Sequence, residues 1–129
     1  MKVFMVGSGA VAQCTLPILI KELKIREKDI TVMDYADNRD KLQKYIKKGL
    51  KFVLEKVHEK NHKKILEKYL SAGDIFIDLG YDIHTVTILK WCHENNVHYI
   101  NSAVELWDPY ERAAEKDPRS LTLYARQLD

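Results

Sequence analysis

The feature that most restricts the fold is a short apolar run that stops on a glycine turn. Lys2-Val3-Phe4-Met5-Val6 is followed at once by Gly7-Ser8-Gly9-Ala10-Val11-Ala12. Consecutive apolar residues of this length, closed by glycine, read as a strand buried on both faces. After the turn, Val11, Leu16, Leu19, Ile20 and Leu23 recur at helical spacing, so the glycines join a strand to a helix. The turn fits the pattern G-x-G-x-x-G/A, with Ala12 in the last place. Gly7 makes the tight turn. Gly9, without a side chain, lets the backbone approach a pyrophosphate, and Ala12 lets helix pack closely on strand. Phosphates would lie on the helix N-terminus, where free N–H groups and the helix dipole favour negative charge. Gly7, Ser8, Gly9, Ala10 and Val11 are therefore the expected phosphate cradle.

An acidic residue completes the signature. Asp29-Ile30-Thr31-Val32-Met33-Asp34 is a second β-branched run, and Asp34 lies 22 residues beyond Ala12. A carboxylate about 20 residues after the turn accepts hydrogen bonds from the adenosine ribose and repels a 2′-phosphate. That favours NAD over NADP. Arg39 is the nearby side chain suited to a 2′-phosphate. No Gly-Lys-Ser/Thr follows the glycines, which excludes a Walker-type phosphate loop.

The rest of the chain repeats the alternation. Asn38 is placed to cap a second helix that ends near Gly49. Lys51–Leu54 begins a third strand, residues 61–72 form a third helix closed by Gly73, and residues 74–79 form a fourth strand. Asp82 opens a helix carrying Val86, Ile88, Leu89 and Trp91, and residues 97–100 form a fifth strand. Pro17 lies inside the first helix and would kink it unless the missing bond is tolerated. Five strands separated by helices predict an α/β fold of Rossmann type. Its parallel sheet has the order 3-2-1-4-5, with helices on both faces and a crevice between strands one and four. Beyond residue 107 the pattern changes. Residues 108–119 are polar and hold two prolines, and residues 120–127 would start another helix. No sixth strand is expected. Residues 1–107 thus read as an NAD(P)-binding domain, and residues 108–129 as the start of a connection to a substrate domain that is missing or truncated.

Composition supports a soluble globular chain. Hydrophobic residues make up 46% and charged residues 31% of 129. No apolar run approaches the ~20 residues of a membrane span, and the N-terminus lacks a signal-peptide pattern, so a cytoplasmic location and no membrane contact are expected. Cys14 and Cys92 are too few for a disulfide scaffold; Cys14 reads as a small packed residue. A net charge of +2 hides ten lysines against three glutamates in residues 41–68. They fall on helical faces without interleaved aromatics, which reads as solvated surface and not as a nucleic-acid site. His58 and His62 have i, i+4 spacing but no third ligand, so no metal is expected. At the carboxyl ends of the later strands, Gly80 and Ser102 would flank the nicotinamide half. Glu105 and Trp107 would hold a cation by charge and aromatic face. No catalytic residue is identified.

These residues resemble the N-terminal NAD-binding region of homospermidine synthase, in the saccharopine dehydrogenase-like group. The resemblance is carried by Val6-Gly7-Ser8-Gly9-Ala10-Val11-Ala12-Gln13 with Leu16-Pro17, by Ile30–Asp34, by Gly73–Leu79, and by Tyr99-Ile100-Asn101-Ser102-Ala103-Val104-Glu105-Leu106-Trp107. It implies an NAD-dependent aminobutyl transfer between putrescine molecules in polyamine biosynthesis, by an enzyme that forms homodimers. Glu105 and Trp107 match that family's Glu-Pro-Trp motif as substrate contacts, with Leu106 in place of its proline. Family members run to several hundred residues, so the chain alone is expected to bind NAD without turning over diamine. Two other readings are a saccharopine or carboxynorspermidine dehydrogenase-like oxidoreductase, and a non-catalytic NAD-sensing module that acts through its lysine-rich face.

Overall fold

The computed structural model describes residues 1–108, 110–111 and 113–122. Its order is β1 (Val3–Val6), α1 (Ala10–Lys21), β2 (Ile30–Asp34), α2 (Arg39–Ile46), β3 (Lys51–Leu54), α3 (His62–Tyr69), β4 (Ile75–Asp78), α4 (Thr85–Glu94) and β5 (His98–Asn101). The five strands form one sheet in the order β3-β2-β1-β4-β5, and every neighbouring pair is parallel. This is the Rossmann-type α/β fold expected from the sequence. Strand bounds move by a residue at most from the sequence reading. Short 3-10 turns at Ala113–Glu115 and Pro118–Leu121 follow the sheet. Most of the further helix expected over 120–127 lies outside the described residues.

Alternation along each strand divides the core into two layers. Val3 and Met5 of β1, Ile30 and Val32 of β2, and Ile77 of β4 face one side, under Ala12, Leu16 and Leu19 of α1 and Leu42 and Tyr45 of α2. Phe4, Val6, Met33 and Phe76 face the other, under Ile65 and Leu66 of α3 and Ile88 and Cys92 of α4. Right-handed crossovers require this division, because the chain moves outward from β1 through β2 to β3 and then returns to β4 and β5. The direction reverses between β1 and β4, and ligands of open parallel sheets bind at the carboxyl ends beside such a reversal.

Two helix starts differ from the sequence reading. Asp82 does not open α4: its backbone is left-handed (φ 57°), and the cap is His84, whose Nδ1 accepts from the Thr87 N–H at 3.2 Å. Asn38 does precede α2, but its side chain caps nothing there. It is drawn to another partner, described below. Pro17 is accommodated within a helix that continues to Lys21. Among the described residues, no helix is long and apolar enough to cross a membrane.

Candidate functional site

A cleft of about 350 Å³ opens at the carboxyl ends of β1, β2 and β4, lined by the turn from Gly7 to Ala12, by Asp34 to Ala36, by Asn38, and by Leu79, Gly80 and Tyr81. The two turn glycines have different reasons to be glycine. Gly7 has φ +99°, and a Cβ there would stand 2.7 Å from the Leu79 carbonyl oxygen. Its smallness is needed by the fold, since β1 and β4 are paired up to Val6 and Asp78, which sets Gly7 beside Leu79. A Cβ on Gly9 would meet nothing within 4 Å. The space above Gly9 is left open by the chain and belongs to the cleft.

The N-terminus of α1 faces that space. Its first intrahelical bond runs from Gln13 N–H to the Gly9 carbonyl, 3.0 Å. The N–H groups of Ala10, Val11 and Ala12 therefore have no acceptor inside the helix. No acidic residue occupies the first turn and no side chain caps it. Free donors and an uncompensated dipole make this end suited to an anion.

The acidic end of β2 is tied directly to the glycine turn. Asp34 Oδ2 accepts from the Ser8 N–H at 2.7 Å and from the Ser8 hydroxyl at 2.5 Å, while Oδ1 accepts from the Ala36 N–H at 3.0 Å. Ser8 is fully buried, and its Oγ in turn accepts from Asn38 Nδ2 at 2.9 Å. Ser8 thus lines the cleft by its backbone, and its side chain serves to hold Asp34. Arg39 is held by Asp37: its Nε donates to Oδ1 at 2.8 Å, and a second guanidinium nitrogen bonds the other carboxylate oxygen. That pairing keeps the Asp37 carboxyl low, at about 2. Arg39 does not line the cleft.

On the β4 side, Gly80 lines the cleft, and a Cβ on it would meet Val6 Cγ1 and Ile83 Cδ1 at 3.0 Å. Its N–H donates to Asp78 Oδ1 at 3.1 Å, and Tyr99 Oη donates to Asp78 Oδ2 at 3.0 Å. Asp78 is 5% exposed. Burial pushes its carboxyl up to about 6 against the pull of those two bonds, and the charge of Glu105 adds to the rise. Burial and the neighbouring Asp78 also raise the Tyr99 hydroxyl.

The remaining candidates lie outside this cleft. Ser102 is exposed and continues the sheet, its N–H donating to the Asp78 carbonyl at 3.2 Å. Glu105 is clamped by its backbone to the start of α4: its N–H donates to Thr85 Oγ1 at 2.9 Å, and its carbonyl accepts from the Thr85 N–H at 3.0 Å. Trp107 packs between His62 and His84, with ring centroids at 5.1 and 6.4 Å. It lines a second recess of about 400 Å³ that shares Lys56 and Val57 with the first. His58 and His62 turn their Nδ1 atoms to the backbone of Lys60 and Glu59. Among the described residues, no group of three or more His, Cys, Asp or Glu is gathered as for a metal. The sequence reading did not place Asn38 at the site, and it put Asp78 at the ligand end of the fourth strand without a role. Asn38 carried only a cap signal, and the partner of Asp78 is a tyrosine from the neighbouring strand, which no local pattern reveals.

Residues 3–129 match the family described as the saccharopine dehydrogenase NADP binding domain. Homospermidine synthase of Mesorhizobium japonicum is 33% identical over 126 residues, and that of Blastochloris viridis 25%. Each alignment takes in 95% of this chain and 26% of the relative, so the chain spans about a quarter of their length. The crystal structure of the Legionella pneumophila homospermidine synthase in complex with NAD superposes with a TM-score of 0.78, at 24% identity, over 98% of this chain and 26% of that one. On a family match that takes in nearly its whole length, the chain belongs to the saccharopine dehydrogenase NADP-binding-domain family.

Proposed function

We propose that this chain is the NAD-binding domain of a homospermidine synthase-like enzyme. The observation that carries the cofactor choice is the position of Asp34. Its carboxylate is locked against the glycine turn, at the cleft wall where the adenosine ribose would rest. A 2′-phosphate brought there would meet negative charge, and Arg39, the cation that would offset it, is already engaged by Asp37. The cleft suits the group: the N–H donors of Ala10, Val11 and Ala12 would hold the pyrophosphate above Gly9, and Asp34 Oδ1 would accept from the ribose. Gly80 and Ser102 would flank the nicotinamide half. When bound, NAD supplies a hydride acceptor.

The names of the relatives support a diamine such as putrescine as substrate. Glu105 and Trp107 are the contacts this chain offers to an ammonium group, by charge and aromatic face. Residues 1–107 form the cofactor domain in this reading, and 108–129 begin the connection to a substrate domain. A homodimer and a cytoplasmic location are part of the same proposal, and the two free thiols, exposed Cys14 and buried Cys92, suit a reducing compartment.

Calorimetry with NAD and with NADP tests the cofactor assignment. NAD is expected to bind at least tenfold more tightly than NADP. Asp34→Asn is expected to weaken NAD by about tenfold to a hundredfold, the worth of a charge-assisted hydrogen bond at roughly 1.5–3 kcal/mol, and to narrow the gap with NADP. Equal affinity of the unaltered chain for both nucleotides would overturn the role of Asp34. Incubation with putrescine and NAD is expected to yield no homospermidine.

A further inference from the structure

The proton order at the end of β2 assigns a role to a residue that the fingerprint does not contain. Ser8 has one hydroxyl proton, and it goes to Asp34 Oδ2, because an ionised carboxylate only accepts. Ser8 Oγ must then accept from Asn38. This fixes the Asn38 amide with its NH2 group toward Ser8, 2.9 Å away. The carbonyl oxygen of that amide is left facing away from the bond. Among the described residues the Asn38 side chain makes no other hydrogen bond, and Asn38 lines the cleft.

Asp34 itself is heavily engaged. A carboxylate has about four lone-pair sites. Two on Oδ2 take the Ser8 N–H and hydroxyl, and one on Oδ1 takes the Ala36 N–H. About one remains, enough for one of the two vicinal hydroxyls of an adenosine ribose. The second hydroxyl needs another acceptor at the same wall.

We propose that Asn38 is that acceptor: the adenosine ribose of NAD is held by Asp34 through one hydroxyl and by the Asn38 side-chain carbonyl through the other, with buried Ser8 as the positioning residue that turns the amide. This rests on the cleft binding NAD. The binding wall is then a three-residue relay drawn from the glycine turn, the end of β2 and the entry to α2. It also accounts for why Asn38, a good capping residue, leaves the α2 N-terminus uncapped.

The test is calorimetry of the full chain with NAD and with the two NAD analogues that lack the 2′- or the 3′-hydroxyl of the adenosine ribose. Asn38→Ala is expected to weaken NAD about fivefold, as for loss of one neutral hydrogen bond. The same variant should bind one of the two deoxy analogues as the parent does, because that analogue lacks the hydroxyl that Asn38 holds. Ser8→Ala keeps Asn38 but removes its orienting hydroxyl, and it is expected to lose the same analogue-dependent increment. Thermal melting accompanies both variants, since a purely structural role would lower the melting temperature without distinguishing the analogues. A loss that is equal for all three ligands, or no loss with Asn38→Ala, overturns the role of Asn38 and leaves the NAD assignment standing. Absence of NAD binding to the unaltered chain overturns both.

Discussion

Replacing Gly7 by alanine is expected to damage the fold, whereas replacing Gly9 by alanine is expected to leave the fold and damage binding. At Gly7 an alanine must adopt φ +99° and must place its Cβ 2.7 Å from the Leu79 carbonyl oxygen and 2.9 Å from its carbonyl carbon. The left-handed conformation costs about 1–2 kcal/mol for a residue with a Cβ. The backbone contact cannot be relieved by turning a side chain, and overpacking of this kind costs about 1–3 kcal/mol. A total near 3 kcal/mol, or roughly 10 °C in melting temperature, is a large share of the stability of a domain this size. At Gly9 the backbone is extended and the added methyl meets no atom of the chain. The cost to the fold there is below about 1 kcal/mol, that of a poorer residue at the start of α1. The methyl would instead stand where a pyrophosphate has to approach the N–H groups of α1, so NAD affinity should fall at least tenfold. Melting curves and calorimetry on both variants check the pair. Equal melting temperatures for the two, or unchanged NAD affinity in Gly9→Ala, would refute the division of duties.

That contrast marks how far the sequence could be read. The glycine pattern already divides the tight turn at Gly7 from the pyrophosphate approach at Gly9; what it does not contain is the contact with Leu79, 72 residues away, that makes Gly7 a requirement of the fold. The sheet order was legible because it follows from alternating strand and helix with right-handed crossovers, and these are nearly independent of side-chain detail. Helix starts were less legible. Asp82 has the composition of a cap but sits in a left-handed bend, and His84, three residues before the bonded N–H, takes the place through its ring nitrogen. Asn38 looked like a local cap and is recruited by Ser8, 30 residues back in the chain. Asp34 was visible by its spacing from the glycines; its attachment to Ser8 was not, because no local pattern encodes a bond across 26 residues. Glu105 and Trp107 were noticed as types suited to a cation. In the fold their backbone and ring also secure the segment after β5 to α3 and α4. What sequence conveys poorly here is which polar side chains meet, and the site is made of such meetings.

Asp78→Asn is expected to make the chain more stable at neutral pH, with a gain that grows from pH 4 to above pH 6. Asp78 is almost fully buried at the end of β4, and its carboxyl titrates at about 6 in the folded chain. Unfolded, it returns to the ordinary carboxylate range near 4. Between those values the native state binds a proton that the unfolded state has released. Stability therefore falls as pH rises through this window, and the loss is complete above the folded value. The difference corresponds to about 3 kcal/mol. Other carboxylates, such as the exposed Asp37 beside Arg39, shift in the opposite sense. Comparing Asp78→Asn with the parent across pH cancels them. Asparagine can still accept the Gly80 N–H through its carbonyl, so the turn that lines the cleft is kept. Its NH2 group can donate to Tyr99 Oη, although the tyrosine then loses the acceptor for its own proton, which trims the gain to roughly 2 kcal/mol at pH 7. Denaturation of both chains at pH 4, 5, 6 and 7 measures the effect: near equality at pH 4 and a widening advantage for asparagine above it is the expected result, and parallel profiles would show that Asp78 titrates normally. A carboxylate that burdens the fold at working pH, under the glycine that borders the cleft, is the kind of group retained where binding or chemistry needs its charge.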